Sequence, residues 1–113
     1  MTRLRRERAL DDRRTALACA RTQVRIKHRG RARVVRDIEA LGIDRDIARE
    51  VVAEVFAELD ENALLEQALD RRLRHGLSLS DATVFRRMYR YLLAQGFDPG
   101  RVTELLRRRA KYL

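Results

Sequence analysis

The stretch from Gly30 to Phe56 constrains the fold most, because it is typical of two helices joined by a turn of three residues. Apolar residues recur every three or four positions on both sides of the turn, which places each set on one face of a helix. These residues are Val34, Val35, Ile38 and Leu41 before the turn, and Ile47, Val51, Val55 and Leu59 after it. Gly42 can take the left-handed conformation that ends a helix, and Asp44 can accept hydrogen bonds from the free N–H groups of the next helix. We therefore predict helices over 31–41 and 45–57.

The same arrangement recurs close to the C-terminus. The tripeptide Gly96-Phe97-Asp98 aligns with Gly42-Ile43-Asp44 at an offset of about 54 residues. Pro99 follows at the first position of the next helix, where a missing N–H does no harm. Apolar residues again have helical spacing around this turn: Phe85, Met88, Tyr89, Leu92, Val102, Leu105 and Leu106. The sequence therefore predicts an internal repeat of helical units.

Three further helices complete the predicted fold. One covers 15–28 and carries a narrow stripe of small apolar residues, and another covers 60–75 and ends at Gly76. A third begins at a capping box in which Ser78 bonds forward and Asp81 reaches back. Strand-like alternation is absent from the sequence, so we predict an all-α protein.

The predicted organisation follows from this helix count. A chain of 113 residues is long enough for one compact domain or for two small helical units that share a core. We predict a charged N-terminal stub at 1–14, as a frayed or partner-dependent helix, followed by tandem three-helix units at 15–57 and 60–113.

The charge of the chain predicts an anionic partner. Its 26 Lys+Arg residues exceed its 17 Asp+Glu residues and give a net charge of +9. Almost all of the basic residues are arginine, which can recognise phosphate or carboxylate in a bidentate manner. We nominate the exposed basic positions as contacts to protein acids or DNA phosphate: Arg25, Lys27, Arg29, Arg31, Arg33, Arg36, Arg71, Arg72, Arg86, Arg87 and Arg90. For any single arginine, a solvated surface with no dedicated partner is the alternative.

Acidic residues are concentrated in the helix predicted at 45–57 and just beyond it. Glu50, Glu54 and Glu58 recur every four residues and form a ridge on one face. This ridge could face basic groups of a partner, and less plausibly could hold a cation. The separation of charges predicts a molecule with a positive side and a negative side.

The residues that carry catalysis or metal binding in other proteins form no recognisable set. His28 and His75 lie at predicted helix C-termini, Cys19 is the single cysteine, and the glycines form no phosphate-binding loop. We therefore expect no enzyme activity, cofactor or metal. The aromatic residues fall on apolar faces, apart from Tyr91 and Tyr112, and we consider Tyr91 a surface contact. No apolar run approaches the roughly 20 residues that cross a bilayer, so we expect a cytoplasmic protein without membrane contact.

Two binding hypotheses remain open. In one, the helix pair 31–41 and 45–57 is a DNA-binding helix-turn-helix, although its second helix, which would enter the groove, is acidic and would be repelled by phosphate. In the other, the two-unit body docks onto a protein or a protein–nucleic-acid filament and uses both signs of charge.

Several of these motifs resemble the RecX family, the regulators of the RecA recombinase. The resemblance to the middle unit of that family rests on Leu10-Asp11-Asp12, Ala16, Gly30, Val34, Ile38 and Leu41-Gly42-Ile43-Asp44. The resemblance to its last unit rests on Arg90-Tyr91-Leu92, Gly96-Phe97 and Val102. It implies an elongated, curved helical array without enzyme activity that binds the RecA filament. It further implies that the protein modulates, and usually inhibits, ATP hydrolysis and strand exchange in DNA recombination, repair and the SOS response.

The chain departs from the family pattern in three respects. It has room for two of the usual three units, Thr15 occupies a position where the family tends to have phenylalanine, and the turn before Arg31 lacks a proline. We expect a monomer or a weak dimer, since a second copy could replace the missing unit.

Overall fold

The computed structural model describes residues 3–73 and 77–111, and these residues form six α-helices. The helices are α1 (Arg3–Arg25), α2 (Arg31–Glu39), α3 (Arg45–Ala57), α4 (Glu61–Arg72), α5 (Ala82–Ala94) and α6 (Pro99–Lys111). No strand occurs within the described ranges. The predicted all-α class is therefore confirmed.

The N-terminal helix is longer than the sequence pattern indicates. Helix α1 runs without interruption through residues 14 and 15, so the charged segment predicted as a separate stub continues the helix of the first unit. None of residues 3–15 is buried, whereas Ala16, Ala20 and Val24 are. The packed half of the helix provides a preformed helical turn, to which the exposed half adds further turns. The arginine, leucine and alanine residues of the exposed half also favour the helical state. The helix ends at Arg25 rather than at residue 28, where His28 has a left-handed φ of 51°.

The two glycine turns have the geometry that the sequence predicts. Gly42 and Gly96 have positive φ angles of 87° and 98°. The carboxylate of Asp44 accepts a hydrogen bond from the Asp46 N–H at 2.8 Å, and that of Asp98 accepts one from the Arg101 N–H at 3.1 Å. Helices α3 and α6 consequently begin at the predicted positions.

One residue of the predicted apolar faces is placed wrongly. Helix α2 ends at Glu39, and the chain then turns, which leaves the side chain of Leu41 58% exposed. The other residues predicted on the α2 face, Val34, Val35 and Ile38, are buried or packed against the core.

The start of α5 also differs from the prediction. Asp81 caps this helix by accepting hydrogen bonds from the N–H groups of Thr83 and Val84, at 2.8 and 3.4 Å. Ser78 lies outside the helix, because the turn that it opens carries the side chain of Leu79 into the core, where it is 2% exposed. Helix α4 ends at Arg72, and the predicted stop at Gly76 lies outside the described residues.

The helices pack in two groups. Helices α1, α2 and α3 contact one another, and so do α4, α5 and α6, while contacts between the groups are fewer. The molecule measures 58 × 23 × 23 Å and has a radius of gyration of 16.7 Å. A compact chain of this length would have a radius of about 13 Å. The body is therefore elongated.

Backbone hydrogen bonds join the two groups where α2 begins. The Gly30 N–H donates to the Gln95 carbonyl at 2.7 Å, and the Ala32 N–H donates to the Gly96 carbonyl at 3.2 Å. A Cβ atom on Gly30 would lie 2.6 Å from the Gly96 carbonyl carbon, and one on Gly96 would lie 2.3 Å from the Arg33 backbone nitrogen. Only glycine at both positions lets the two backbones approach this closely.

Candidate binding surfaces

A groove of about 880 Å³ lies between α2, α3 and the turn that joins α5 to α6; we call it the junction groove. Apolar atoms at its base come from Ala32 and Val35 of α2, Ala53 of α3 and Pro99 at the start of α6. Both helices contribute residues at helical spacing, so a second face of each helix points away from the core and into this groove. Arginines surround the base: Arg31, Arg36, Arg45, Arg49 and Arg101.

The arginines of the junction groove differ in their partners. Arg31 lies 2.5 Å from Glu61 and 5.3 Å above the ring of Phe56, so it has an ion pair and a cation–π contact. Arg45 pairs with Glu39 at 3.3 Å. Arg36 and Arg49 are exposed and have no ion pair within the part of the chain that the structure describes. Arg101 donates to the side-chain oxygen of Asn62 at 3.0 Å, so the guanidinium groups of Arg36 and Arg49 are the two in the groove that have no bond to another described side chain.

Helix α3 has a basic side as well as the acidic side that the sequence emphasises. Arg45 and Arg49 line the junction groove, whereas Glu50 and Glu54 face α1 and form ion pairs with Arg13. These ion pairs join α1 to α3. Of the nominated acidic residues, only Glu58 is without an ion pair among residues 3–73 and 77–111.

The nominated basic run from Arg25 to Arg36 divides into two sets. Asp37 binds both Arg29, at 2.8 Å, and Arg33, at 3.3 Å. Arg33 also donates to the Ala94 carbonyl at 3.0 Å, and Arg31 pairs with Glu61, so these two arginines hold the junction between the helix groups, whereas Arg29 bonds within the first group. The second set is exposed and lacks an ion pair in the described ranges: Arg25, Lys27 and Arg36.

The nominated residues of α4 are engaged by other parts of the protein. Arg71 donates to the Ile26 carbonyl at 2.7 Å and lies 2.6 Å from Nδ1 of His28. Arg72 stacks over the ring of Tyr91 at 5.2 Å. Tyr91 is half-buried and packs against the core.

Helix α5 carries the most accessible nominated residues. Arg86, Arg87 and Arg90 are exposed and have no ion pair among the residues that the structure describes; we call them the α5 basic face. The turn of the α-helix brings the first and the last of them, four residues apart, to the same side.

His28 is the histidine that the structure describes, and its environment favours the neutral imidazole. Burial lowers its pKa below the ordinary 6.5, and the positive charge of Arg71 lowers the pKa further. A neutral Nδ1 can accept the hydrogen bond from Arg71, which a protonated ring cannot do. His28 therefore links the α1–α2 turn to α4. His75, the other histidine in the sequence, lies outside the described residues.

A metal ion would require several ligating side chains close together. Residues 3–73 and 77–111 contain no cluster of three or more His, Cys, Asp or Glu side chains with such an arrangement. Cys19 is a half-buried free thiol. None of the described helices combines the length and apolar character that crossing a membrane requires.

Sequence reasoning missed two features of these surfaces. It placed Arg13 in the stub, although Arg13 pairs with the acidic ridge, and it nominated neither Arg45 nor Arg49. A detectable signal exists for the groove, since α2 and α3 each carry arginine beside small apolar residues on a second helical face.

Comparison of the chain with protein-family profiles, curated proteins and solved structures finds no match.

Proposed function

We propose that the protein binds the filament of a RecA-type recombinase on DNA and lowers its rates of ATP hydrolysis and strand exchange. The proposal starts from the resemblance to the RecX family. The observation that carries it is an elongated body with exposed arginines that have no intramolecular ion pair in the described chain. Such a body can extend along a filament surface and place charged groups against several subunits.

The two helix groups are proposed to be units of a curved tandem array. Each contains a glycine with positive φ, then a buried apolar residue, then an aspartate that caps the next helix. In the first group these residues are Gly42, Ile43 and Asp44, and in the second they are Gly96, Phe97 and Asp98. Equivalent turns in both groups support a duplicated unit.

The charged surfaces suggest how such a regulator would bind. The α5 basic face and the exposed residues Arg25, Lys27 and Arg36 would contact carboxylates of the filament or phosphates of its DNA. Glu58 would contact a basic group. The arginines that hold the junction would maintain the shape of the array and contribute less to binding.

The deciding experiment is a recombinase ATPase assay on single-stranded DNA. We expect the rate to fall as the protein is added and to reach a plateau when the filament is saturated. An unchanged rate, with filament binding absent in co-sedimentation, would contradict the proposal.

A DNA-binding protein that acts without a recombinase is the second candidate. Arg45 and Arg49 on the groove side of α3 favour it, because the acidic residues Glu50 and Glu54 lie on the other side, against α1. A salt titration with naked duplex DNA distinguishes the candidates, because each phosphate contact adds about 0.9 to the slope of log affinity against log salt concentration. Tight, sequence-specific duplex binding in the absence of recombinase would favour this candidate.

A further inference from the structure

We infer that the junction groove is a docking site for an acidic peptide segment that carries apolar side chains and belongs to a protein partner. This inference goes beyond the proposed function, because it assigns a site and a ligand chemistry whether or not the partner is a recombinase. It rests on the shape, the apolar base and the unpaired arginines of the groove.

The base of the groove favours apolar side chains. Ala32, Ala53 and Pro99 are exposed there, and Val35 is half-buried beside them. Burial of apolar surface supplies most of the favourable free energy when two proteins associate. A volume of about 880 Å³ accommodates several side chains of a peptide.

The walls of the groove favour carboxylates. Arg36 lies on α2 and Arg49 on α3, so two helices each contribute an unpaired arginine to the lining of the groove. Arginine binds a carboxylate through two parallel N–H···O hydrogen bonds, and this geometry is specific as well as favourable. A peptide with acidic residues on both sides of an apolar residue complements this arrangement.

The groove suits a peptide better than a nucleic acid. Single-stranded nucleic acids bind through aromatic platforms, yet Phe97 is 8% exposed and Phe56 is covered by Arg31. The lining also contains Glu39, Glu61 and Asp98, which would repel a continuous row of phosphates. A peptide presents N–H donors to these carboxylates and places its own acids only where arginines lie.

The position of the groove predicts an effect of the peptide on the whole protein. Its walls come from both helix groups, since α2 and α3 belong to the first and the α5–α6 turn to the second. A ligand that contacts both groups binds the folded junction and not the unfolded chain, so it raises the unfolding temperature.

Fluorescence anisotropy with short labelled peptides tests the inference. The probe contains glutamate and leucine, and two control peptides replace either the glutamates by glutamine or the leucines by serine. We expect the probe to bind and to raise the unfolding temperature, and both control peptides to bind much more weakly. Equal binding of the serine peptide would overturn the inference, because the base of the groove would then contribute nothing.

Matched variants locate the site. The double variant R36A/R49A should weaken binding about tenfold, since each exposed ion pair contributes a modest part of the affinity. The variant R6A/R14A removes the same charge from exposed positions of α1 outside the groove, and its affinity should stay within a factor of about two of wild type. Unchanged affinity in R36A/R49A would overturn the proposal.

A variant of the groove base provides an independent test. Ala53 and Ala18 are both exposed alanines within helices, and only Ala53 lies in the groove. A53E should abolish binding of the probe, and A18E should not change it. Displacement of the probe by a single-stranded oligonucleotide, with the same sensitivity to A53E, would overturn the inference in favour of nucleic acid. The assay contains no recombinase, so its outcome is independent of the ATPase experiment.

Discussion

At the scale of single residues, glycine has two separable roles in this protein. Gly42 and Gly96 share a positive φ, which strains any residue that has a Cβ atom. A Cβ on Gly42 would meet no atom within 4 Å, whereas one on Gly96 would collide with the backbone of Arg33. Gly42 is therefore needed for its conformation alone, and Gly96 is needed for its conformation and for the close contact between the helix groups.

The two roles can be measured by urea denaturation of G42A and G96A. We expect G42A to lower the free energy of unfolding by about 1 kcal/mol, which is the cost of a left-handed alanine. G96A should lower it by about 3 kcal/mol, because the overpacked contact adds to the same strain. Equal losses in the two variants would contradict the close approach of Gly96 to Arg33.

His28 predicts a pH dependence of stability. Its pKa is lowered in the folded protein, by burial and then by Arg71, so the unfolded chain binds the proton more readily below pH 6.5. The contribution of His28 to stability is therefore fully present above pH 6.5 and is lost as the pH falls through the lowered pKa of the folded state.

The measurement compares wild type with H28N across pH. Asparagine tolerates the left-handed φ of this position and does not titrate. We expect the difference in unfolding free energy, wild type minus H28N, to decrease as the solution becomes more acidic than pH 6.5. His75 is present in both proteins, so its contribution cancels in the difference. A pH-independent difference would mean that the folded state leaves the pKa of His28 unchanged.

At the scale of elements, the helix starts depend on aspartate. Asp44, Asp60, Asp81 and Asp98 each accept a hydrogen bond from a backbone N–H in the first turn of a helix. At the start of α5, Asp81 forms the cap. Ser78, which the sequence predicts as the first residue of a capping box, lies outside the helix.

Circular dichroism during thermal unfolding can test the α5 cap. D81A should lower the free energy of unfolding by about 1 kcal/mol, the usual effect of removing an N-cap side chain. S78A should lower it by a few tenths of a kcal/mol, since this serine bonds only within the preceding turn. A larger loss in S78A than in D81A would restore Ser78 as the cap.

At the scale of the whole molecule, the proposed function depends on surfaces that lie in different helix groups. The α5 basic face belongs to the second group, and Arg25, Lys27 and Arg36 belong to the region around the start of α2 in the first. A filament regulator that uses both groups should lose affinity when either surface is neutralised.

The corresponding prediction uses the ATPase assay. For R86A/R87A/R90A, the protein concentration at which inhibition of the ATPase is half-maximal should rise about tenfold. Each of the three exposed ion pairs that this variant loses contributes a few tenths to about 1 kcal/mol. Combining it with R25A/K27A should weaken inhibition further, because distant sites contribute additively. The control R6A/R8A/R14A removes the same charge from exposed positions of α1 and should inhibit like wild type. An equal effect of the control would indicate a nonspecific response to net charge.

The sequence by itself determined the features that depend on neighbours along the chain. Periodic apolar residues, glycine at helix ends and aspartate caps act within one or two turns of helix, so the all-α class, the bounds of α3 and the start of α6 were predictable. Where a local signal was ambiguous, as with Ser78 and Asp81 or with the end of α2 near Leu41, the prediction failed. The tertiary burial of Leu79 and the turn after Glu39 decided those cases.

Only the tertiary structure decided which charged groups are free. Arg29, Arg31 and Arg33 look like Arg25 and Arg36 in the sequence, yet Asp37 and Glu61 bind the first three. The glycine contact between the helix groups and the junction groove likewise join residues that lie far apart in the chain. Helix periodicity specifies the face on which a residue lies, but the partner that this face meets depends on how the two helix groups pack, because that packing alone brings their surfaces together.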